Sequence, residues 1–299
     1  MDTKTFLSSH FPGFAKKWKK FHSKFKHANA WYIASDYCLD DKNKPNDVMV
    51  FTLFPFENPY VLKEKIKQHM SKDIKDFKNI SDQAVNYIKE SPYFFSIAFI
   101  INNKNNFFRL DMNKQILDLN IKRMENWPCH KKEEFIHKIK KLRNYLDRKD
   151  INLKLLSDMC ITAHIVSFII EFLLIKTNTK RVFWITDRDK ITEFQEGVIH
   201  ELIRLGYSNL LRNRIKDSKV YGILDDKKYR HEIYDELVRI PDYICGSIAS
   251  MNFNNINNTS EKHYILFNQG IYNNDRICIM HFEHGKSIDS LDELKIMRE

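Results

Sequence analysis

The sequence predicts an α/β protein with a mixed β-sheet that carries helices on its faces. Three segments rich in apolar, aromatic and β-branched residues come first, and shorter β-rich segments then alternate with helical patterns. Consecutive strands joined by short polar turns form an antiparallel meander, whereas strands separated by helices usually pair in parallel. Apolar residues make up 43% of the 299 residues, so the chain can bury a sizeable core.

The chain is strongly basic, with 49 Lys and Arg against 39 Asp and Glu and a formal net charge of +10. A basic protein attracts polyanions, and nucleic acid is the partner that this charge predicts. The composition is also rich in Lys, Asn and Ile, which an AT-rich genome would produce without any function. Both interpretations of the charge stay open at this point.

Five cysteines are scattered along the chain and form no CxxC pair. This pattern is typical of a reducing compartment and argues against a disulfide framework or a zinc ribbon. The N-terminal basic stretch precedes no apolar run, so no signal peptide is predicted. We therefore expect a cytoplasmic protein.

Residues 15–27 combine six lysines with an aromatic stripe of Trp18, Phe21 and Phe25 at helical spacing. One interpretation is a helix that docks its aromatic side chains on the core and leaves its lysines in water. The alternatives are an arm that contacts phosphates and an amphipathic helix at a membrane surface.

The first half of the chain supplies the meander. Strands are predicted at 30–37, 48–54 and 93–101, because each run is apolar or aromatic and is bounded by turn residues. Between the second and third strands, residues 56–92 carry two helical patterns, at about 60–70 and 81–90. The second of these is opened by Ser81, a favoured N-cap residue.

The second half alternates between helices and strands. The predicted elements, in chain order, are helices at 131–147 and 153–175, a strand at 181–186, a helix at 191–205, a strand at 219–224, a helix at 241–250 and a β-hairpin at 263–282 around Asn273-Asn274. The segment 153–175 is long enough to span a membrane, but Asp158, His164 and Glu171 interrupt it. A buried helix of a soluble core is the preferred interpretation, and no membrane partner is predicted.

Carboxylates stand at the ends of core elements in three places. Asp36 ends the first strand, Asp187 and Asp189 follow the fourth, and Asp242 comes directly after Pro241. Proline favours the first position of a helix, so Asp242 is predicted at a helix N-terminus. Gly246, one turn further on, is expected to let this helix approach a strand closely.

Aspartates from separate elements are what a divalent-metal site requires. Hydrolysis of a phosphodiester needs stabilisation of the attacking and the leaving oxygen, and two cations about 4 Å apart provide both. Mg²⁺ and Mn²⁺ prefer oxygen ligands, and in open sheets such sites lie beyond the strand ends. The pattern therefore predicts Mg²⁺ or Mn²⁺ as the cofactor.

The runs RVFWITDRDKITEFQEGVIHELI and IPDYICGSIAS resemble the bacterial proteins grouped as domain of unknown function 3800, which are regarded as ribonuclease H-like. The resemblance covers residues 30–255. It implies acidic residues at the end of the first strand (Asp36), at the middle strand end (Asp187 or Asp189) and at a late helix start (Asp242, with Gly246 after it). The turn DYCLDD and the extended N-terminus depart from the usual pattern of that group.

Ribonuclease H-like sites often add a glutamate from a central helix, and Glu171 is the candidate here. The resemblance thus implies Asp36, Asp187, Asp242 and Glu171 as metal ligands, with Asp189 as a further catalytic carboxylate. Alternatively, Glu171 belongs to a polar seam with His164 and Ser167, which share its helix face. The predicted substrate contacts are basic residues: Arg188, Lys190, Lys16, Lys17, Lys19 and Lys20.

The preferred function is a metal-dependent nuclease acting on DNA or RNA, of a kind that would suit bacterial phage defence or a toxin system. The first alternative is a catalytically degenerate ribonuclease H-like module that binds nucleic acid or a protein partner, including a second copy of itself. Its support is the departure around the first strand and the predicted C-terminal hairpin, which could add to the edge of another sheet. A Toprim-like phosphotransfer domain ranks below both, because that fold requires a glutamate where Asp36 stands.

The predicted organisation has three parts. Residues 1–29 form a basic helical extension, residues 30–255 form the core with the helical insertion at about 56–92, and residues 256–299 form the C-terminal hairpin and tail. The sequence contains no GxxxxGK[ST], GxSxG, HExxH or GxGxxG motif, which excludes the common nucleotide-binding, esterase and metalloprotease signatures.

Overall fold

The structure, a computed structural model, describes most of the chain. The described residues are 12–56, 58–70, 72–76, 78–102, 108–126, 132–186, 190–211, 222–223, 234–255, 258–283 and 291–293. Arg188, Asp187 and Asp189, which the sequence predicts to be functional, lie outside these ranges.

A mixed sheet with the strand order β5–β4–β1–β2–β3–β6–β7 forms the centre of the fold. The strands are β1 (Ala30–Cys38), β2 (Val48–Pro55), β3 (Phe95–Asn102), β4 (Arg181–Thr186), β5 (Gly222–Ile223), β6 (Ile277–Glu283) and β7 (Leu291–Glu293). β1, β2 and β3 make the predicted antiparallel meander. β4 pairs in parallel with β1, and β6 pairs in parallel with β3. The predicted α/β class and the mixed sheet are thereby confirmed.

Helices precede, interrupt and follow the strands. In the described ranges they are α1 (Pro12–His22), α2 (Pro59–His69), α3 (Asp82–Glu90), α4 (Leu110–Met124), α5 (Lys132–Tyr145), α6 (Leu153–Lys176), α7 (Lys190–Glu193), α8 (Ile199–Leu211), α9 (Asp235–Ser250) and α10 (Glu261–Ile265). Ser81 caps α3 as predicted, because its side chain accepts from the backbone N–H of Ala84. A 3₁₀ turn at Ile74–Asp76 links α2 to α3.

The chain divides into two compact units. The first comprises 1–102, 176–187 and 219–299, and the second comprises 103–175 and 188–218. The described parts of the predicted N-terminal extension, of the 56–92 insertion and of the C-terminal segment all belong to the first unit, with the sheet.

The aromatic stripe of α1 is docked on one face of the sheet. Trp18 is only 6% exposed, and its ring lies 5.6 Å from that of Trp31 on β1 and 5.3 Å from that of Phe95 on β3. Lys16 and Lys19, on the opposite side of the helix, are exposed. The interpretation of this segment as a docked helix is confirmed, since aromatic burial of this extent holds a helix in place.

The other face of the sheet is covered by α9. Tyr32, Ala34, Val48 and Val50 point to this face and are buried in one cluster with apolar side chains of α9. The loop between β1 and β2 closes the end of that helix. Asn46 donates from Nδ2 to the carbonyl oxygens of Ile248 and Met251, at 3.0 and 2.7 Å, which satisfies acceptors that a helix end leaves open.

In the second unit, α6 is apolar nearly all round. Among the described helices, α6 is long and apolar enough to cross a membrane. In its most apolar stretch of 18 residues, 78% is buried inside the protein. Gly206 of α8 faces Ser167 of α6 so closely that a Cβ atom there would lie 2.2 Å from Oγ. This burial favours the predicted core helix over a membrane span.

Several elements differ from the prediction, and one of them, α4, has no predicted counterpart. The helix predicted at 191–205 is broken into α7 and α8, because Gln195, Glu196 and Gly197 all adopt positive φ, a conformation that ends a helix. The hairpin predicted at 263–282 is wrong. Its first half is α10 followed by a π-helix at Leu266–Ile271, and only β6 is extended.

Asn273 and Asn274 do form a turn, as the sequence predicts. The hairpin prediction failed because this turn joins a helix to a strand and not a strand to a strand. Asn273 has a φ of 58°. Asn274 donates from Nδ2 to the carbonyl oxygens of Gly270 and Ile88, at 2.8 and 3.0 Å, and so fixes the turn against α3. Leu266, Phe267 and Ile271 of the helical half are buried.

Replacement of Trp18 by alanine should reduce the free energy of unfolding by about 3–5 kcal/mol, because a large buried side chain is lost and a cavity is left. Urea unfolding followed by circular dichroism measures the change. The matched control is Lys19→Ala on the exposed side of α1, which should stay within about 0.5 kcal/mol. Similar losses in both variants would show that α1 is not held by its aromatic side chains.

Candidate carboxylate site

Asp36 lies near the carboxyl end of β1, on the face that α9 covers. It is partly buried and stands opposite Val50 of β2. The preceding residue, Ser35, pairs with Thr186, the last residue of β4. Asp187 and Asp189 follow Thr186 in the sequence and lie outside the described residues.

Asp242 is not at a helix N-terminus, contrary to the prediction. α9 begins at Asp235, so Pro241 lies inside the helix and Asp242 follows it in the second turn. Proline is tolerated there although it lacks the N–H that would bond the carbonyl of Leu237. The actual first turn carries Asp235 and Glu236, which suit the positive end of the helix dipole.

The Asp242 carboxylate fixes the segment that precedes α3. Its Oδ2 accepts from the backbone N–H of Ile74 at 3.0 Å. Tyr243 donates from its hydroxyl to the carbonyl of Lys72 at 2.9 Å, and Arg239 donates to that of Met70 at 3.0 Å. Three side chains of α9 therefore hold residues 70–74 in place.

Gly246 allows this close approach, though not to the strand that the sequence suggested. A Cβ atom at Gly246 would lie 2.9 Å from Cγ2 of Ile74. The glycine thus makes room for the 3₁₀ turn against α9. Sequence reasoning found the close contact but assigned the wrong neighbour.

Cys245 is close enough to both predicted carboxylates for their charges to act on its thiol. The thiol donates to the carbonyl oxygen of Val48 at 3.5 Å, and the Asp36 carboxylate is a second acceptor. Burial, reinforced by the charges of Asp36 and Asp242, holds the pKa of this thiol well above its ordinary value. Asp36 and Asp242, distant in sequence, are therefore brought into one electrostatic neighbourhood.

Lys44 supplies a positive charge that sequence reasoning missed. Its Nζ donates to Sγ of Cys38 at 3.1 Å and lies 3.9 Å from the Asp41 carboxylate. Burial alone would lower the pKa of Lys44, but Cys38, Cys245 and Asp41 together raise it, so the group stays charged. The signal was the turn DYCLDDKNK after β1, which was noted only as a departure from the family pattern.

Two further predicted residues, Glu171 and Lys190, belong to the second unit. Glu171 is 3% exposed and lies in α6 of the second unit, on a helix face where Ser167 is buried and His164 is exposed. Lys190 is exposed at the start of α7, also in the second unit.

The lysines of α1 differ among themselves. Lys17 donates to the carbonyl of Ile277 at 2.8 Å, and Lys20 pairs with Asp275. Lys16 and Lys19 are exposed. Two of the four predicted substrate lysines thus have structural contacts to the start of β6 or the turn before it.

The described side chains fit part of a metal site. Carboxylate oxygens such as those of Asp36 and Asp242 are the donors that Mg²⁺ and Mn²⁺ prefer, and magnesium sites often use one or two carboxylates with water and substrate phosphate. Within the described ranges, no three His, Cys, Asp or Glu side chains are grouped to hold one ion.

Comparison of the chain with protein-family models, with curated proteins and with solved structures finds no match.

Asp242→Ala should destabilise the fold by about 1–3 kcal/mol, because the N–H of Ile74 loses its acceptor. Asp242→Asn retains an acceptor oxygen, so it should lower the free energy of unfolding clearly less than Asp242→Ala does. Both values follow from urea unfolding of the two variants. If asparagine proved as harmful as alanine, the bond to Ile74 would not be what stabilises this region.

His263 should make the fold sensitive to acid. Burial, with Lys262 and Lys44 nearby, lowers its pKa to about 4 from an ordinary value of 6.5. The unfolded chain therefore takes up a proton at a pH where the folded chain does not, so stability falls as the pH drops from 6.5 to 4. After allowance for partial exposure, the loss is about 1–2 kcal/mol.

The measurement is the difference in unfolding free energy between the wild type and His263→Gln at neutral pH and near pH 4.5. Glutamine cannot take up the proton. The free energy of unfolding of the variant should therefore rise relative to that of the wild type as the pH falls. A difference that stays constant with pH would contradict the low pKa.

Proposed function

We propose that this protein is a ribonuclease H-like, Mg²⁺- or Mn²⁺-dependent nuclease. The observation that carries the proposal is that the charges of Asp36, from β1, and Asp242, from α9, both act on the buried thiol of Cys245. Asp187 or Asp189 completes the ligand set in this proposal. A cytoplasmic location and a role in bacterial phage defence or a toxin system belong to the same hypothesis.

The sheet topology supports the proposal. A ribonuclease H-like fold requires an antiparallel meander with a further strand parallel to the first, and β1, β2, β3 and β4 have this arrangement. The last helix of such a core must lie on the sheet face that carries the first aspartate, as α9 does. The resemblance to the domain-of-unknown-function 3800 group rests on the same elements.

Each residue has a role in this proposal. Asp36 and Asp242 orient the cofactor at the carboxyl end of β1, and the exposed lysines of α1, Lys16 and Lys19, attract the polyanionic substrate. When bound, the divalent cation supplies charge stabilisation for the attacking and leaving oxygens of the phosphodiester. Lys190 and Arg188 are further candidates for contacts to phosphate.

Asp36→Asn should abolish cleavage, lowering the rate at least about 100-fold, because it removes the charge of a ligand without changing the size of the side chain. The assay uses single- and double-stranded DNA and RNA with Mg²⁺ or Mn²⁺. The matched control is Asp111→Asn, at an exposed position in the first turn of α4, which should keep full activity. Chelation by EDTA should stop the wild type.

Cleavage that survives both Asp36→Asn and EDTA would exclude the metal-dependent mechanism. Cleavage absent from the wild type, with retained binding of nucleic acid, would favour the second candidate.

The second candidate is a non-catalytic ribonuclease H-like module that binds nucleic acid or a protein partner. One specific observation favours it: both described carboxylates already have hydrogen-bond partners within the protein. Asp242 accepts from Ile74, and Asp36 accepts from Cys245. A metal site in use would have to compete with these bonds.

A further inference from the structure

We infer that the surface at the junction of β2 and α2 is a subsite for single-stranded nucleic acid, where aromatic rings stack on bases and a lysine contacts phosphate. This inference takes its ligand class from the proposed function, but the surface is distinct from the carboxylate site. We call it the aromatic subsite and define it by Phe56, Tyr60, Val61, Lys65 and Tyr93.

Three apolar or aromatic side chains are exposed within six residues of the chain. Phe56 is 40% exposed, Tyr60 62% and Val61 48%. Single exposed apolar residues are ordinary on a protein surface, but several of them close together in the chain are typical of a binding surface.

The ring of Phe56 is held in place from beneath. It lies 5.1 Å from the ring of Tyr32 and 6.1 Å from that of Phe183, both tilted by 36°. Tyr32 is itself only 2% exposed. Because Phe56 rests on a buried aromatic layer, its outer face is a rigid platform, and a rigid platform loses little entropy when a base stacks on it.

A small cavity lies beside Tyr32, on whose ring Phe56 packs. It has a volume of about 130 Å³, and its lining includes Tyr32, Asn58, Val61, Lys65 and Tyr93. Lys65 lies with Nζ 4.4 Å from the centre of the Tyr93 ring and donates to its hydroxyl at 3.3 Å. The cavity thus joins apolar walls to a fixed positive charge, which a base with its phosphate would match.

The charge of α2 selects nucleic acid over an apolar peptide. The helix carries Lys63, Lys65 and Lys67 against Glu64, in a chain whose formal net charge is +10. Stacking is tolerant of base identity and needs unpaired bases, so the predicted ligand is a single strand. The alternative ligand is a protein partner, and the following experiment distinguishes it from nucleic acid.

The test is a titration of a fluorescein-labelled oligothymidylate of about 15 nucleotides by fluorescence anisotropy. The full chain is used in EDTA, so that binding is measured without cleavage. Tyr60→Ala and Phe56→Ala should each weaken binding by roughly 5- to 150-fold, the loss expected for one stacked base. Tyr60→Trp and Phe56→Trp should bind within about twofold of the wild type, because they keep a stacking ring.

Lys65→Gln tests the phosphate contact separately. It should reduce the slope of log affinity against log salt concentration by about 0.7, the value for one phosphate on a single strand. Leu119→Ala is the matched control, because Leu119 is also exposed (53%) but lies on α4 in the second unit. It should bind like the wild type.

Unchanged affinity in both alanine variants, or an equal loss in Leu119→Ala, would overturn the aromatic subsite and leave the surface to a protein partner. The nuclease proposal fails on a different result, namely cleavage that survives Asp36→Asn. The titration in EDTA measures binding without cleavage, and the nuclease assay leaves the aromatic subsite unchanged, so either proposal can fail while the other stands.

Discussion

The packing of α9 across β1 and β2 is the interaction on which the rest of the first unit depends. The helix closes the apolar face of the meander with side chains that are almost completely buried. The β1–β2 loop caps its end through Asn46, and Arg239, Asp242 and Tyr243 hold the segment before α3. Because one helix orders the sheet face, the loop and the 3₁₀ turn, it also decides where Asp36 and Asp242 lie.

The contacts made by α9 stabilise the fold, but they also occupy the carboxylates that a metal ion would need. Asp242 and Asp36 both accept hydrogen bonds from the protein, which stabilises their charged forms and lowers the cost of burying them. A divalent cation would offer each carboxylate a stronger partner and would have to displace or share these bonds. The thiol of Cys245 keeps its proton because its pKa is raised, so it is a weak competitor for such an ion.

Sequence reasoning succeeded where local pattern and burial agree. The strands of the meander, the strand ending at Thr186, the Ser81 cap and the docked aromatic stripe of α1 all follow from alternation, helical spacing or capping chemistry. It failed where a tertiary contact overrides a local signal. Pro241 usually marks a helix start, but packing on the sheet extends α9 by two turns before it.

The site was predictable only in part, for a related reason. The positions of Asp36 and Asp242 follow from their elements, but the partners Cys245, Ile74 and Lys44 belong to segments that no sequence pattern connects. Likewise, the turn at Asn273 was recognised, whereas the helix before it depends on burial of Leu266 and Phe267 in the core. Long-range packing of this kind leaves little trace in periodicity.

Manganese can be located in crystals through its anomalous scattering, which shows whether side chains of β1 and α9 share one divalent ion. We expect a peak within ligating distance of oxygens of both Asp36 and Asp242, with the contacts to Cys245 and Ile74 lengthened. A crystal saturated with manganese that shows no peak there, and both carboxylates still bonded to their present partners, would contradict this expectation.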